Sequence, residues 1–292
     1  MVKIIKAILL LGIVVYLFYG FDFSKINLDV ISLKSLIASF FILFLAQVIL
    51  SIRFMYIIDS KFVPSLETIV VSNALNMILP ARLGEVAKAL YLKKFYQYDY
   101  NIAIAAVFIE RFFDVIMLFF IILYWGYFYT GNEYIKNASL WLFIFILATF
   151  LLFNSKKILL LIEKIPFAIA KEIYLSISLM LKKTHILLFW SIVLWLAYLL
   201  SYFTFFESLN LKQIVELFIV SSVAMMIPLA PAGLGTFEGV VVFYLSKYGI
   251  SKEDALLLAS TYHFLLFLVD MVMFFIFLAV KKISFEELKA IK

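Results

Sequence analysis

The sequence predicts an all-α polytopic membrane protein: about six full spans plus two re-entrant broken-helix hairpins, arranged as an inverted repeat. Three observations carry that reading. Hydrophobic residues make up 66% of the chain and charged ones only 15%, with a mean hydropathy of +1.11, far outside the range of a soluble domain. Apolar runs of about 20 residues follow one another along all 292 positions, leaving no stretch for a soluble catalytic domain. Finally, Pro80-Ala81-Arg82-Leu83-Gly84-Glu85 interrupts one apolar run and Pro231-Ala232-Gly233-Leu234-Gly235-Thr236 interrupts another. In hydrocarbon every backbone N–H and C=O needs a partner, so breaks survive only where they face protein or a water-filled cavity. A matched pair of them in two halves of a chain points to a transporter's binding site.

Met1 to Gly20, with Lys3 and Lys6 ahead of an apolar run, gives a first span within segment 1–30, and the lack of a small-residue cleavage site makes it a signal anchor. Residues 31–53 form the second span, ending at Arg53. Pro64-Ser65 then opens the stretch 65–79, which covers only about 22 Å against a hydrocarbon core of about 30 Å. Residues 83–95 beyond the break are shorter still, so the two read as a hairpin that enters and leaves on one side. The long span 101–129 completes repeat one, 31–130. Segment 131–184 holds a connecting span, 138–153, and the stretch 155–183, where Lys157, Lys164 and Lys171 recur every seven residues around Pro166. That period predicts a helix in the headgroup plane with its lysines outward, a poor span being the alternative. Repeat two, 185–282, contains the span 185–206, the broken pair 213–229 and 234–248, and the span 254–280. A cytoplasmic tail, 283–292, closes a single transmembrane domain, 1–292.

Loop charge orients this arrangement. Lys3, Lys6, Arg53, Lys61, Lys93, Lys94, the lysines of 155–183, Lys281 and Lys282 all fall on one side if both broken pairs are re-entrant, which places both termini in the cytoplasm and the protein in the cell membrane. The first hairpin then enters from the cytoplasm and the second from outside. A net charge of +6 is accounted for by these loops and their anionic lipid, without nucleic acid. No cysteine is present, which excludes thiol nucleophiles, Fe–S centres and disulfides. Against 22 lysines stand three arginines, Arg53, Arg82 and Arg111, the last two deep in apolar sequence where a planar, permanently charged fork differs from an ammonium. The halves also align beyond the breaks, Asp114-Val-Ile-Met-Leu-Phe-Phe matching Asp270-Met-Val-Met-Phe-Phe-Ile.

The half-helices that follow the breaks offer unpaired N–H groups and about half a positive charge each, so residues 82–85 and 233–238 are ready-made anion sites. Arg82 adds a phosphate-matching fork, while Gly233, Gly235 and Gly239 allow close approach. Gly84, Glu85, Thr236 and Glu238 complete the expected substrate site, with Lys88 on the Arg82–Glu85 face and Asn76, beside Asn73, on the preceding half-helix. Competing readings are an Arg82–Glu85 pair that only holds the hairpin, and asparagines that serve as helix-packing glue. Glu110, Arg111 and Asp114 sit near the middle of their span, where charges mark pathways, relays or internal ion pairs. An ion pair to the first hairpin is favoured there. In the second half His263 and Asp270, seven apart on one face, take the corresponding region with Glu238, and an acid beside a histidine suits proton coupling. Zinc, P-loop and nucleophile-elbow motifs are missing, as is an aspartate cluster for Mg²⁺-diphosphate, so the reading is of a non-enzyme without metal or cofactor.

Residues Asn76 through Glu85, Glu110-Arg111-x-x-Asp114 and Pro231 through Glu238 together resemble the lysylphosphatidylglycerol synthase transmembrane, or flippase-like, family, over roughly residues 5–280. That family includes the membrane domain of the bacterial multiple peptide resistance factor and many stand-alone prokaryotic proteins. The resemblance implies a multi-pass inner-membrane protein that moves a lipid, or lipid-linked headgroup, between leaflets. It does not imply lysyl transfer, because no aminoacyl-transferase domain accompanies it here. The expected partner is a lipid with a phosphate-bearing headgroup, with H⁺ or Na⁺ as coupling ion and a homo-oligomer permitted. A polyprenyl-phosphate carrier, an intramembrane headgroup enzyme and an assembly scaffold are the alternatives.

Overall fold

The computed structural model describes residues 2–79, 82–126, 128, 133–155, 168–226 and 230–281. Among them regular structure is entirely helical, in the order α1 Val2–Phe18, α2 Leu33–Ile58, α3 Phe62–Ile78, α4 Gly84–Tyr96, α5 Tyr100–Trp125, α6 Glu133–Asn154, α7 Ala168–Leu181, α8 Thr184–Phe205, α9 Leu211–Met226, α10 Thr236–Ser246 and α11 Lys252–Lys281. Three of them, α2, α8 and α11, are long and apolar enough to cross a membrane by length and composition. Helix α5, 26 residues long, matches them in length but carries Glu110, Arg111 and Asp114 in its middle. The helices flanking the two breaks are short: 17 and 13 residues for α3 and α4, 16 and 11 for α9 and α10. At 1.5 Å per residue none of the four reaches 30 Å.

Local chemistry sets several of these boundaries. Helix α9 starts from a reciprocal cap, in which the Asn210 side-chain Oδ1 accepts from the Gln213 backbone N–H and the Gln213 side-chain Oε1 accepts from the Asn210 backbone N–H. Ser251 Oγ accepts from the Asp254 N–H at the start of α11, whose first turn also holds Glu253, the favoured sign for that end of a helix. Asp59, at φ 54°, turns the chain out of α2.

The chain divides into two compact units, each discontinuous in sequence. One comprises Met1–Gln47, Val70–Ala87 and Leu196–Ala290. Its centre is α10, which packs on α1, α9 and α11. An aromatic cluster of Tyr202, Phe205, Phe206 and Tyr262 fills the space beside it, and its hydroxyls are satisfied inside: Tyr262 with Ser201 at 2.5 Å, Tyr202 with Ser221 at 2.7 Å. Lys252 donates to the Tyr19 carbonyl and Glu253 accepts from the Asp22 amide, so the connection after α1 is tied to the start of α11. The other unit comprises Val48–Ile69, Lys88–Trp195 and Ile291–Lys292. There α5 packs on α6 and α7, and the Tyr174 and Ser178 hydroxyls of α7 donate to the Leu152 and Phe153 carbonyls of α6.

One expectation changes. The second span does not stop at Arg53: α2 continues to Ile58, and Arg53 is 1% exposed, so it is an interior charge and not a loop charge that marks a membrane boundary. Of the stretch 155–183, α7 is a helix that buries Tyr174, Ile177, Met180 and Leu181. Lys157, Lys164 and Pro166, like the tail 283–292 and Pro80-Ala81, lie outside the described residues.

Candidate functional site: a junction of two helix breaks

The first break turns at Arg82, a non-glycine residue in the left-handed region with φ 56°. Such a backbone is costly for a residue with a Cβ and persists only where the surroundings hold it. What holds it is the second break: Arg82 Nη2 donates to the Met225 carbonyl, at the end of α9, over 2.7 Å. A helix C-terminus leaves carbonyls without partners, and the guanidinium supplies a charged donor to one of them. Met225 serves the junction twice, because its sulfur lies 2.9 Å from where a Cβ on Gly233 would stand.

Gly84, the first residue of α4, lies against α3 so closely that a Cβ would be 2.1 Å from the Ser72 carbonyl oxygen and 2.5 Å from Asn76 Oδ1. Asn76 Oδ1 and Ser72 Oγ are buried without a hydrogen-bond partner among the described residues. Asn73 donates to the Gln47 side chain of α2 at 2.8 Å, the helix-packing role weighed for it. Glu85 stands in the first turn of α4.

The second break turns through Ala232 at φ 53°, Gly233 at 81° and Gly235 at 79°. Glu238, three residues into α10, folds back so that Oε2 accepts from the Gly235 amide at 2.7 Å, half of a capping box. Its other oxygen, Oε1, lies 2.6 Å from Nδ1 of His263 on α11, and Nε2 of the same ring lies 3.1 Å from the Ala232 carbonyl. The acid beside the histidine is therefore Glu238. Asp270, the acid expected from the seven-residue spacing, is buried at 5% exposure with no hydrogen bond or ion pair among the described residues. Thr236 Oγ1, in the first turn of α10, is also buried and has no hydrogen-bond partner among the described residues. Gly235 and Gly239 face α1, where added Cβ atoms would meet Ile13 at 3.7 and 3.1 Å. Because Ala232 is the one residue with a Cβ among the three left-handed positions of this break, Ala232→Gly should leave thermal stability at or above the starting level. Ala232→Val should lower it by about 1–2 kcal/mol, read as a melting shift in detergent.

The other unit holds a buried charge cluster. Glu110, fully buried, receives Lys88 Nζ at 2.5 Å, an ion pair between α5 and α4 of the first hairpin. Arg53 Nη1 donates to Asp114 Oδ1 at 2.8 Å and to Ser191 Oγ at 3.2 Å, while Nη2 stands 4.0 Å from Glu110. Arg111 reaches Asp114 Oδ2 at 3.2 Å and the Trp195 indole N–H reaches Oδ1 at 3.4 Å. Lys88 also lies 5.0 Å over the Phe54 ring. Arg53, Ser191, Trp195 and Met225 were not among the sequence candidates. Arg53 had one available signal, its membership in a set of three arginines; the others had none.

These placements can be set beside known proteins. Residues 3–273 match the family model described as the lysylphosphatidylglycerol synthase TM region. The chain belongs to this family. A relative, UPF0104 membrane protein MJ1078 of Methanocaldococcus jannaschii, is 30% identical over 219 residues, which cover 69% of this chain and 93% of the relative. No solved structure is significantly similar to the chain. Membership makes this a membrane protein related to the transmembrane part of the synthases. It gives no catalytic step to the transmembrane part alone.

Proposed function

We propose that the chain is a flippase-like lipid transporter, holding a phosphate-bearing headgroup where its two helix breaks meet and leaving the acyl chains in the bilayer. The observation that carries this is the Arg82–Met225 contact, which brings a permanently charged fork from one break onto the other inside one compact unit. Further support comes from the short helices on either side of both breaks, too short to span singly, and from the unsatisfied Thr236 and Ser72 hydroxyls nearby, which are available donors to an anion. In this reading the remaining long helices give six spans, the two halves form an inverted repeat, and rocking of one half against the other exposes the junction to each leaflet in turn. Both termini would be cytoplasmic, and the membrane the cell membrane. Gly84, Glu85, Gly233 and Gly235, which belong to the same unit, would shape the approach.

Reconstitution in liposomes with fluorescent anionic phospholipids tests the assignment. Arg82→Ala should slow translocation about 10- to 150-fold, the range for losing a hydrogen bond to a charged group worth about 1.5–3 kcal/mol, and Arg82→Lys should recover only part of it. Equal rates for wild type and Arg82→Ala would remove Arg82 from the site. Polyprenyl-phosphate offers the same anionic group, so its ability to compete with phospholipid identifies which carrier of that group is preferred.

A further inference from the structure

The ring formed by Gly235, Glu238, His263 and Ala232 has a proton count fixed by its chemistry. His263 is held between two groups that present acceptor atoms, a carboxylate oxygen at 2.6 Å and a backbone carbonyl at 3.1 Å. A carbonyl oxygen cannot donate, so Nε2 must carry hydrogen to make its bond. Neutral imidazole has only one N–H, which leaves Nδ1 bare against Glu238 unless a second proton lies between them. That proton resides on Nδ1, giving imidazolium and carboxylate, or on Oε1, giving neutral imidazole and carboxylic acid. Both arrangements are neutral overall, as burial of both side chains favours: the exposures are 4% for His263 and 9% for Glu238. We infer that Glu238 and His263 form a proton-binding site, and that its one shared proton fastens the second helix break shut.

Loss of that proton sets two lone pairs against each other at one end of the imidazole, or at the other end if the tautomer flips. Either way one contact of the ring fails, and the left-handed turn at Ala232 loses its tie to α11. The break is thus closed at lower pH and released as pH rises. The charged and titratable groups around it are few. Arg82 ends on the Met225 carbonyl across the junction, Asp270 lies two turns further along α11, and the Tyr262 hydroxyl is committed to Ser201. On α1 the atoms that face Gly235 and Gly239 are apolar, from Leu10 and Ile13. None of these contacts the shared proton. If the chain moves lipid as proposed above, this is the place where proton binding would be coupled to rearrangement of the junction; the proton itself does not depend on that reading.

The chain has two histidines, His185 and His263, so ¹⁵N-histidine labelling of the full-length protein in bilayers, with His185→Gln to assign the signals, observes the ring directly. The expected result near pH 6 is imidazolium, or a neutral Nε2–H ring beside a protonated carboxyl seen in the infrared. In Glu238→Gln the amide can accept from Gly235 and donate to Nδ1, which rebuilds the ring without a titrating proton. That variant should show a neutral Nε2–H tautomer under the conditions in which the wild-type ring holds the shared proton. A neutral ring beside an ionised carboxylate near pH 6, or a bare Nε2, would overturn the inference. A second measurement needs no signal from the ring: hydrogen exchange of residues 233–239, normalised for intrinsic chemistry, should speed up at least tenfold in wild type as pH is raised through the loss of the proton, and stay flat in Glu238→Gln. Parallel profiles for the two proteins would also overturn it. Liposome flux read alongside separates this result from the transport proposal, because a confirmed shared proton with no lipid movement leaves the site intact and removes only the flippase reading.

Discussion

Lys88→Met should destabilise the protein by about 3–5 kcal/mol, the range for leaving one member of a buried ion pair uncompensated, while Lys88→Met combined with Glu110→Gln should recover most of the loss. Lys88 and Glu110 are each 1% exposed along their side chains and lie 2.5 Å apart. Removing the ammonium strands a carboxylate in apolar surroundings, where its nearest other cation, Arg53, stands at 4.0 Å and already serves Asp114 at 2.8 Å. Glu110→Gln alone removes the carboxylate that receives the Lys88 ammonium and should also destabilise. The double change removes both charges and leaves the Arg53–Asp114 pair in place. Denaturant titration in micelles would supply the cycle. If the double variant is as unstable as the sum of the single variants, the two charges are not partners and the cluster is held in another way.

Among the glycines whose surroundings are described, Gly84 should tolerate an added methyl least. The added carbon would stand 2.1 Å from the Ser72 carbonyl oxygen, well inside van der Waals contact, and that atom belongs to the backbone of α3 and cannot swing aside. Overpacking typically costs about 1–3 kcal/mol, and here relief requires the two half-helices to separate at the point where the first break is formed. A cost at the top of that range or beyond is expected, measured as loss of monodisperse protein after extraction and a lower melting point. Gly12→Ala is the control, since nothing lies within 4 Å of its added carbon. Asn76→Ala tests the cause: it removes the side-chain contact at 2.5 Å but leaves the backbone contact, so it should not rescue Gly84→Ala. Rescue by Asn76→Ala would mean that the side chain, and not the backbone approach, demands glycine.

These expectations rest on features of unequal legibility in the sequence. The helices and their interruptions were readable because each is a local property: apolar runs propagate helix, while Pro231 and the glycines after it interrupt it. Glu238 three residues after Gly235 is likewise a local capping pattern, present in the sequence although not read as one. Charge partners are not local. Nothing near Arg53 indicates Asp114, 61 residues away, or Ser191, 138 residues away, so Arg53 looked like the edge of a span and its interior position emerges only from packing. His263 was matched to Asp270 by helical period, a rule that knows only its own helix, whereas the partner that reaches it comes from α10. Met225 carries no signal at all, since its role is played by a backbone carbonyl.

The charge cluster also bears on how the chain is made. Arg53 leaves the ribosome 61 residues ahead of Asp114 and 138 ahead of Ser191, a lag of roughly 3–12 seconds for the first at 5–20 residues per second. During that interval α2 carries a guanidinium whose counter-ion has not yet been synthesised. Stable burial of α2 must therefore await α5, so membrane integration of this unit is a joint event among several segments and not a sequence of independent insertions.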